Sequence, residues 1–197
     1  PVANADTAVT NEDHATDPID VLANDTDIDI GSTLNQDVAH ERSTFSVTGA
    51  TVTNTAHGSV TVTTDNKLVF KPAENWFGEE VIQYTMIDGN GGSASGAVTV
   101  TVNSVNDLPY LTMAPGYQYL TEDGVDGSSL FYVADVETNV SLVNVTLKSC
   151  DNTTLIPLSA ITLEHKGGAG WLITVNPADN LFGDALITLV LEDEDGG

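Results

Sequence analysis

Positive charge is nearly missing from this sequence: five Lys and Arg stand against 29 Asp and Glu, a formal net charge of -24 at pH 7. Such a surface repels nucleic acid and anionic membranes and suits a chain that meets cations, so nucleic acid is not an expected partner. Cysteine is almost absent too. Cys150 stands alone, which rules out an intrachain disulfide, a CxxC redox pair or a cysteine-built zinc site, and it reads as a small buried residue. No apolar run approaches the ~18 residues of a membrane span, so no membrane insertion of this segment is expected. An N-terminal leader pattern is also missing, and the sequence reads as a piece of something longer. His14, His40, His57 and His165 are dispersed, and neither GxSxG nor HExxH occurs. Without a triad or a zinc motif the chain is not expected to be an enzyme.

What is present is a repeat. Residues 71–92, KPAENWFGEEVIQYTMIDGNGG, align without a gap to residues 176–197, NPADNLFGDALITLVLEDEDGG. Pro72, Asn75, Phe77, Gly78, Ile82, Asp88, Gly91 and Gly92 recur as Pro177, Asn180, Phe182, Gly183, Ile187, Asp193, Gly196 and Gly197. A period of about a hundred residues is too long for a solenoid unit and fits one small globular domain. Earlier in each copy the offset is 110 residues: Asn11-Glu12-Asp13 becomes Thr121-Glu122-Asp123, and Asp25, Asp27 and Asp29 become Asp135, Glu137 and Asn139. Two domains are expected, 1–107 and 108–197.

Within a copy the apolar period is two. Val60 and Val62 alternate with Ser59, Thr61 and Thr63, and a Thr64-Asp65-Asn66 turn sends Leu68 and Phe70 back as a hairpin. PVANADTAVT and PIDVLA read as the first two strands, Val81–Ile87 as the sixth and Ala97–Val102 as the seventh. Seven short strands per copy with no helical period predict an all-β fold, two tandem Greek-key sandwiches of the cadherin or immunoglobulin type. The second domain lacks its last strand, because its match to Ser93–Val102 is not in the sequence. Its sixth strand then lacks the neighbour that should pair with it, and the expectation is that a second molecule fills that edge or else that the second domain is the less stable of the pair. Tyr84 reads as ordinary core, since its match is Leu189, and Trp76, matched by Leu181, reads as a cap on the core.

In such a sandwich the loop after strand two and the loop between strands six and seven lie together where the chain enters. This places Asp25, Asp27 and Asp29 near Asp88, and Asp135 and Glu137 near Asp193 and Asp195. Glu12, Glu74 and Glu79 fall at the end where the chain leaves, with Asn106 and Asp107 at the expected junction. Calcium takes six to eight hard oxygens, and carboxylates at i, i+2 and i+4 of an extended loop point one way, so these acids are candidate calcium ligands. The run Asp25-Thr26-Asp27-Ile28-Asp29 is not an EF-hand, because Ile30 and Gln36 stand where a glycine and a bidentate Glu are needed.

PVANADT, the Asn11-Glu12-Asp13 break, DVLANDTD, KPAENWFG, YTMIDGNGG and the VTVTVNSVNDLP junction together resemble the cadherin-like tandem repeats of large bacterial surface adhesins. The resemblance implies an extracellular, calcium-binding repeat that serves cell adhesion or acts as a rigid spacer presenting a distal binding domain. Its implied partners are neighbouring repeats of the same chain and a cell-surface protein or glycan. Ser104 and Leu108 replace two ligand-type positions of the eukaryotic Asp-x-Asn-Asp-Asn junction. Such repeats also occur beside extracellular enzymes, so the alternative reading is a carbohydrate-binding or accessory module.

Overall fold

The computed structural model describes residues 1–27, 45–89, 91–121 and 126–194. The chain divides into two compact units, Pro1–Val105 and Asn106–Gly197.

Unit 1 is built from strands β1 (Asp6–Asn11), β2 (Ser46–Val52), β3 (Gly58–Val62), β4 (Leu68–Pro72), β5 (Gly78–Ile87) and β6 (Ser93–Asn103). One sheet runs in the order β1-β6-β5-β2, with β6 antiparallel to β5 and parallel to β1. The second layer starts from the β3-β4 hairpin and continues through bridges that join Ile19 to Leu68 and Val2 to Thr26. The predicted hairpin turn is there, with Asn66 at φ 61°. Strands form here because β-branched residues alternate with Ser and Thr, so each strand offers one apolar face. Those faces meet in a core of Val21, Phe70, Ile82, Tyr84, Met86 and Val100 among others.

Two expected strands differ in the structure. PIDVLA is no continuous strand: Ile19 exchanges backbone hydrogen bonds with Leu68, and residues 21–24 then turn. Pro18, without an N–H, cannot take part in a ladder there. PVANADTAVT is likewise two pieces, Val2 pairing with Thr26 in one layer and β1 with β6 in the other.

The recurring Asn-x-Phe-Gly has a backbone reason. Asn75 and Asn180 stand at φ 54° and 57°, and Gly78 and Gly183 at φ 135° and 141°. Asn tolerates the left-handed region better than most residues, and a side chain at the two glycines would be strained. The Asp13 carboxylate holds this bend by accepting the Asn75 backbone N–H at 2.9 Å.

Unit 2 contains β7 (Tyr110–Met113), β8 (Gly127–Ala134), β9 (Asn144–Cys150), β10 (Ile161–Gly167), β11 (Gly170–Val175) and β12 (Ile187–Glu192). One sheet has the order β10-β11-β8-β7 and the other is the antiparallel pair β12-β9. The repeat matches β8 to the interrupted Pro18 segment, and here, with no proline, the strand is complete from Gly127 to Ala134. Its core contains Phe131, Val133, Val145, Trp171 and Ile173, with Cys150 buried among them as a free thiol. Among the described residues the fold is all-β, as the period-two pattern implied, apart from one 3-10 turn at Leu158–Ala160.

Candidate functional site

Unit 2 gathers five of the acids and amides singled out from the sequence. The strand β8 ends at Ala134, and the chain turns at once around Asp135, whose Oδ1 accepts the backbone N–H groups of Glu137 at 3.0 Å and Thr138 at 2.6 Å. The side chain thus folds the loop on itself, as Asp does wherever its carboxylate can mimic a backbone acceptor two residues on. Glu137 Oε2 in turn accepts the Asp107 backbone N–H at 2.9 Å, and carboxylate oxygens of these two residues approach within 4.8 Å. Asn106 Nδ2 donates to Asp193 Oδ2 at 2.9 Å, which brings the turn after β12 to the same place. Asp107 Oδ2 and Asp135 Oδ2 are buried with no hydrogen-bond partner among the described residues.

In unit 1 the matching acids are also close. Asp27 Oδ2 lies 2.6 Å from the Pro1 nitrogen. Asp88 Oδ1 accepts the Gly92 N–H at 2.8 Å, and a side chain at Gly92 would collide with both Asp88 and Pro1. Asp25 sits deeper, fully buried, its Oδ1 accepting the Asn4 N–H at 2.7 Å and its Oδ2 the Tyr84 hydroxyl at 3.1 Å. Asp29 lies outside the described residues.

Glu12, 2 % exposed, uses Oε1 to accept the Val105 N–H at 2.6 Å and leaves Oε2 without a partner among the described residues. Glu79 points outward from β5 and is exposed. Its neighbour Glu80 is the inward residue, 1 % exposed, and binds Thr53, Asn54 and His57. Burial pushes the Glu80 carboxyl up, but the hydrogen bonds from Asn54, Thr53 and His57 outweigh it, and the net shift is downward.

Sequence reasoning passed over Asp6. Burial, and then the Asp25 carboxylate and Asp20, push its pKa up to about 6 against the opposing hydrogen bond from Asn24. Its Oδ1 takes the Asn24 amide at 3.0 Å, and its Oδ2 is a buried atom without a partner among the described residues. Like charges this close disfavour full ionisation, which is the state a bound cation relieves.

The acids supply hard oxygen donors only, with buried oxygens left over. That is the donor set calcium selects, whereas zinc and copper favour the nitrogen and sulfur ligands missing here. Among the described residues no helix is long and apolar enough to cross a membrane.

Residues 1–104 match the bacterial cadherin-like domain family. The chain belongs to that family. Domains of this kind are non-catalytic modules, are typically extracellular adhesion units and generally bind calcium. Among solved structures the chain is similar to PcdhgB3 EC1-4, with 12% identity and a TM-score of 0.50 over 89% of this chain and 40% of that one. It is similar also to protocadherin gamma B7 extracellular cadherin domains 1-4, with 15% identity and a TM-score of 0.49 over 95% and 46%. The human desmocollin-1 ectodomain matches at 11% identity and a TM-score of 0.44 over 100% and 33%. The chain therefore spans between a third and a half of those proteins' lengths. No curated protein matches the sequence.

Proposed function

We propose that this chain is a calcium-binding, extracellular repeat segment of a bacterial adhesin, serving cell adhesion or holding a distal binding domain away from the surface. Its two units, expected at 1–107 and 108–197, are read as successive copies of one domain. Asn106, Asp107, Asp135, Glu137 and Asp193 hold one ion by this reading, and Asp25, Asp27 and Asp88 contribute to another. The observation that carries the proposal is the unit 2 network. Asp135 and Asp107 each keep a buried oxygen without a partner among the described residues, and a buried unpaired carboxylate oxygen is costly unless a cation satisfies it.

Partners of the proposed kind are neighbouring repeats and a cell-surface protein or glycan. The carbohydrate-binding alternative gains no support from Trp76, the aromatic it needs. That ring is stacked on His57 at 4.3 Å, meets Phe70 edge-on at 6.5 Å and packs against the core, so it offers no open platform for a sugar.

The test is calcium titration by calorimetry beside thermal melts with calcium and with chelator. Saturable binding with a raised unfolding temperature supports the proposal, because a ligand that binds only the folded state stabilises it by mass action. Equal melts in both conditions reject it.

A further inference from the structure

The turn between β2 and β3 closes over the buried Glu80. Glu80 Oε1 accepts the Thr53 N–H at 2.6 Å, the Thr53 hydroxyl at 2.9 Å and the Asn54 N–H at 3.0 Å, while Oε2 faces His57 Nδ1 at 2.7 Å. The half-buried imidazole of His57 is stacked on Trp76, with ring centroids 4.3 Å apart and planes 14° from parallel. Trp76 packs against the core, and a side chain at Gly78 would meet its ring at 3.4 Å. His57 therefore links the turn to the bend that carries Asn75 and Gly78.

The second ring nitrogen fixes where the proton sits. Asn54 Oδ1 accepts the Ala56 N–H at 3.0 Å, so it is the Asn54 amide NH2 that faces His57 Nε2 at 2.8 Å. An NH2 group only donates, so Nε2 accepts, and the ring's one proton lies on Nδ1 and is donated to Glu80 Oε2. His57 is neutral in this arrangement. Burial pushes the Glu80 carboxyl up, but its donors bring it below the usual range, so Glu80 is the ionised partner. Among the described residues Glu80 is the charged group bonded to the ring; Lys71 of β4 and Glu79 of β5 alternate to the opposite faces of their strands, and Glu74 in the bend is exposed.

A proton arriving at Nε2 meets the wrong partner. It sets N–H against NH2, and the conflict is relieved when the Asn54 amide turns over to offer Oδ1, which takes that oxygen from the Ala56 N–H. The return is an imidazolium bonded to a buried carboxylate and lying on an indole face. Histidine is the side chain whose charge changes between about pH 5 and 8. We propose that His57 is a proton-operated latch on the 53–57 turn: protonation turns the Asn54 amide over, frees the Ala56 N–H and leaves the imidazolium clamped between Glu80 and Trp76. The latch belongs to unit 1 alone. In the repeat Glu80 is matched by Ala185 and Trp76 by Leu181, so the second copy has neither carboxylate nor indole and the fold requires neither. None of the acids assigned to calcium takes part.

The test is NMR of the full chain, labelled with 15N, from pH 8.5 to pH 5.5. At pH 8.5 the imidazole shifts should show the Nδ1–H tautomer, and on acidification the Ala56 amide should move upfield along the same curve as the His57 ring and the Trp76 indole. Asn54→Ala removes the opposing donor without adding charge. The His57 midpoint should then rise by about half a pH unit or more, and the Ala56 amide should no longer follow it. His57→Phe keeps a ring on Trp76 and should leave both reporters flat across this range. Should His57→Phe not fold, the tautomer and the Asn54→Ala midpoint decide the matter. An Nε2–H tautomer at pH 8.5, an Ala56 amide that does not follow the His57 curve, or one midpoint shared by the parent chain and Asn54→Ala would each overturn the proposal. Reporters that still titrate in a folded His57→Phe would do the same.

Discussion

The hydroxyl of Tyr84 lies 3.1 Å from Asp25 Oδ2, and the two residues are exposed by only 1 and 0 %. This hydroxyl also reaches Val21 O at 3.2 Å, so one phenol ties β5 to the turn over residues 21–24. Burial first, and then the charge of Asp25, push the Tyr84 hydroxyl far above the usual phenol range. Replacing Tyr84 by Phe leaves a buried carboxylate short of a donor, and a loss of about 1–3 kcal/mol in unit 1 stability is expected in denaturant melts. The sign with pH follows from the raised folded value: the stabilisation is complete below about pH 10 and is lost as pH rises above it. Alkaline unfolding should therefore be weaker in Tyr84→Phe than in the parent chain. An unchanged alkaline limb would detach Tyr84 from it.

Gly96 is the residue directly across from Tyr84 in the β5-β6 ladder. A Cβ built there would stand 2.5 Å from the Tyr84 Cζ, so the ring occupies the space of the missing side chain. Gly96→Ala should cost about 1–3 kcal/mol by overpacking, measured as a lower unfolding midpoint with an unchanged denaturant slope. Combining it with Tyr84→Leu should recover part of the loss. Additive losses would place the glycine's role elsewhere.

Glu80 gives the acid side. Its carboxyl is held below the usual range although it is buried, by donors from Asn54, Thr53 and His57. A depressed folded value means that its contribution is present above the unfolded value of about 4.5 and is lost as pH falls through the folded one. Melts from pH 6 to pH 3 should show a steep loss for the parent chain and a shallower one for Glu80→Gln. Parallel curves would remove Glu80 from acid unfolding.

Glu79 and Glu80 illustrate what the sequence makes legible and what it hides. Ile82, Tyr84 and Met86 share a face of β5 with Glu80, so the strand's parity was readable, yet a carboxylate on a core face is unexpected until Thr53, Asn54 and His57 are seen to satisfy it. The alternation of Val60, Val62, Leu68 and Phe70 gave the β3-β4 hairpin directly, because turn and period agree. Pro18 was a visible warning against a continuous second strand that the apolar pattern of PIDVLA outweighed. Tyr84 was legible as core but not as a hydrogen-bond donor, since its match Leu189 carries no hydroxyl. Asp6, in a run of small residues, gave no signal: its pKa is raised by burial and then by the charge of Asp25, about twenty residues away in the chain.

The acids of unit 2 allow charge to be separated from loop structure. Asp135 Oδ1 accepts two backbone N–H groups, whereas its Oδ2 is the atom without a partner among the described residues. Asp135→Asn keeps an oxygen to accept those two donors and removes only the charge, so the loop should stay folded while calcium is held at least about tenfold more weakly, or ~1.4 kcal/mol. Asp135→Ala removes both and should lower the unfolding temperature even in chelator. Asp107→Asn should weaken calcium binding without that structural loss, because Asp107 reaches Glu137 through its backbone N–H and not through its carboxylate. Asp65 is the control: it sits in the β3-β4 turn, where its carboxylate accepts the Thr63 hydroxyl at 2.7 Å, and Asp65→Ala should leave calcium affinity unchanged. If Asp65→Ala weakens binding as much as Asp135→Asn and Asp107→Asn do, calcium is only screening a strongly acidic surface, and the assigned ligands are wrong.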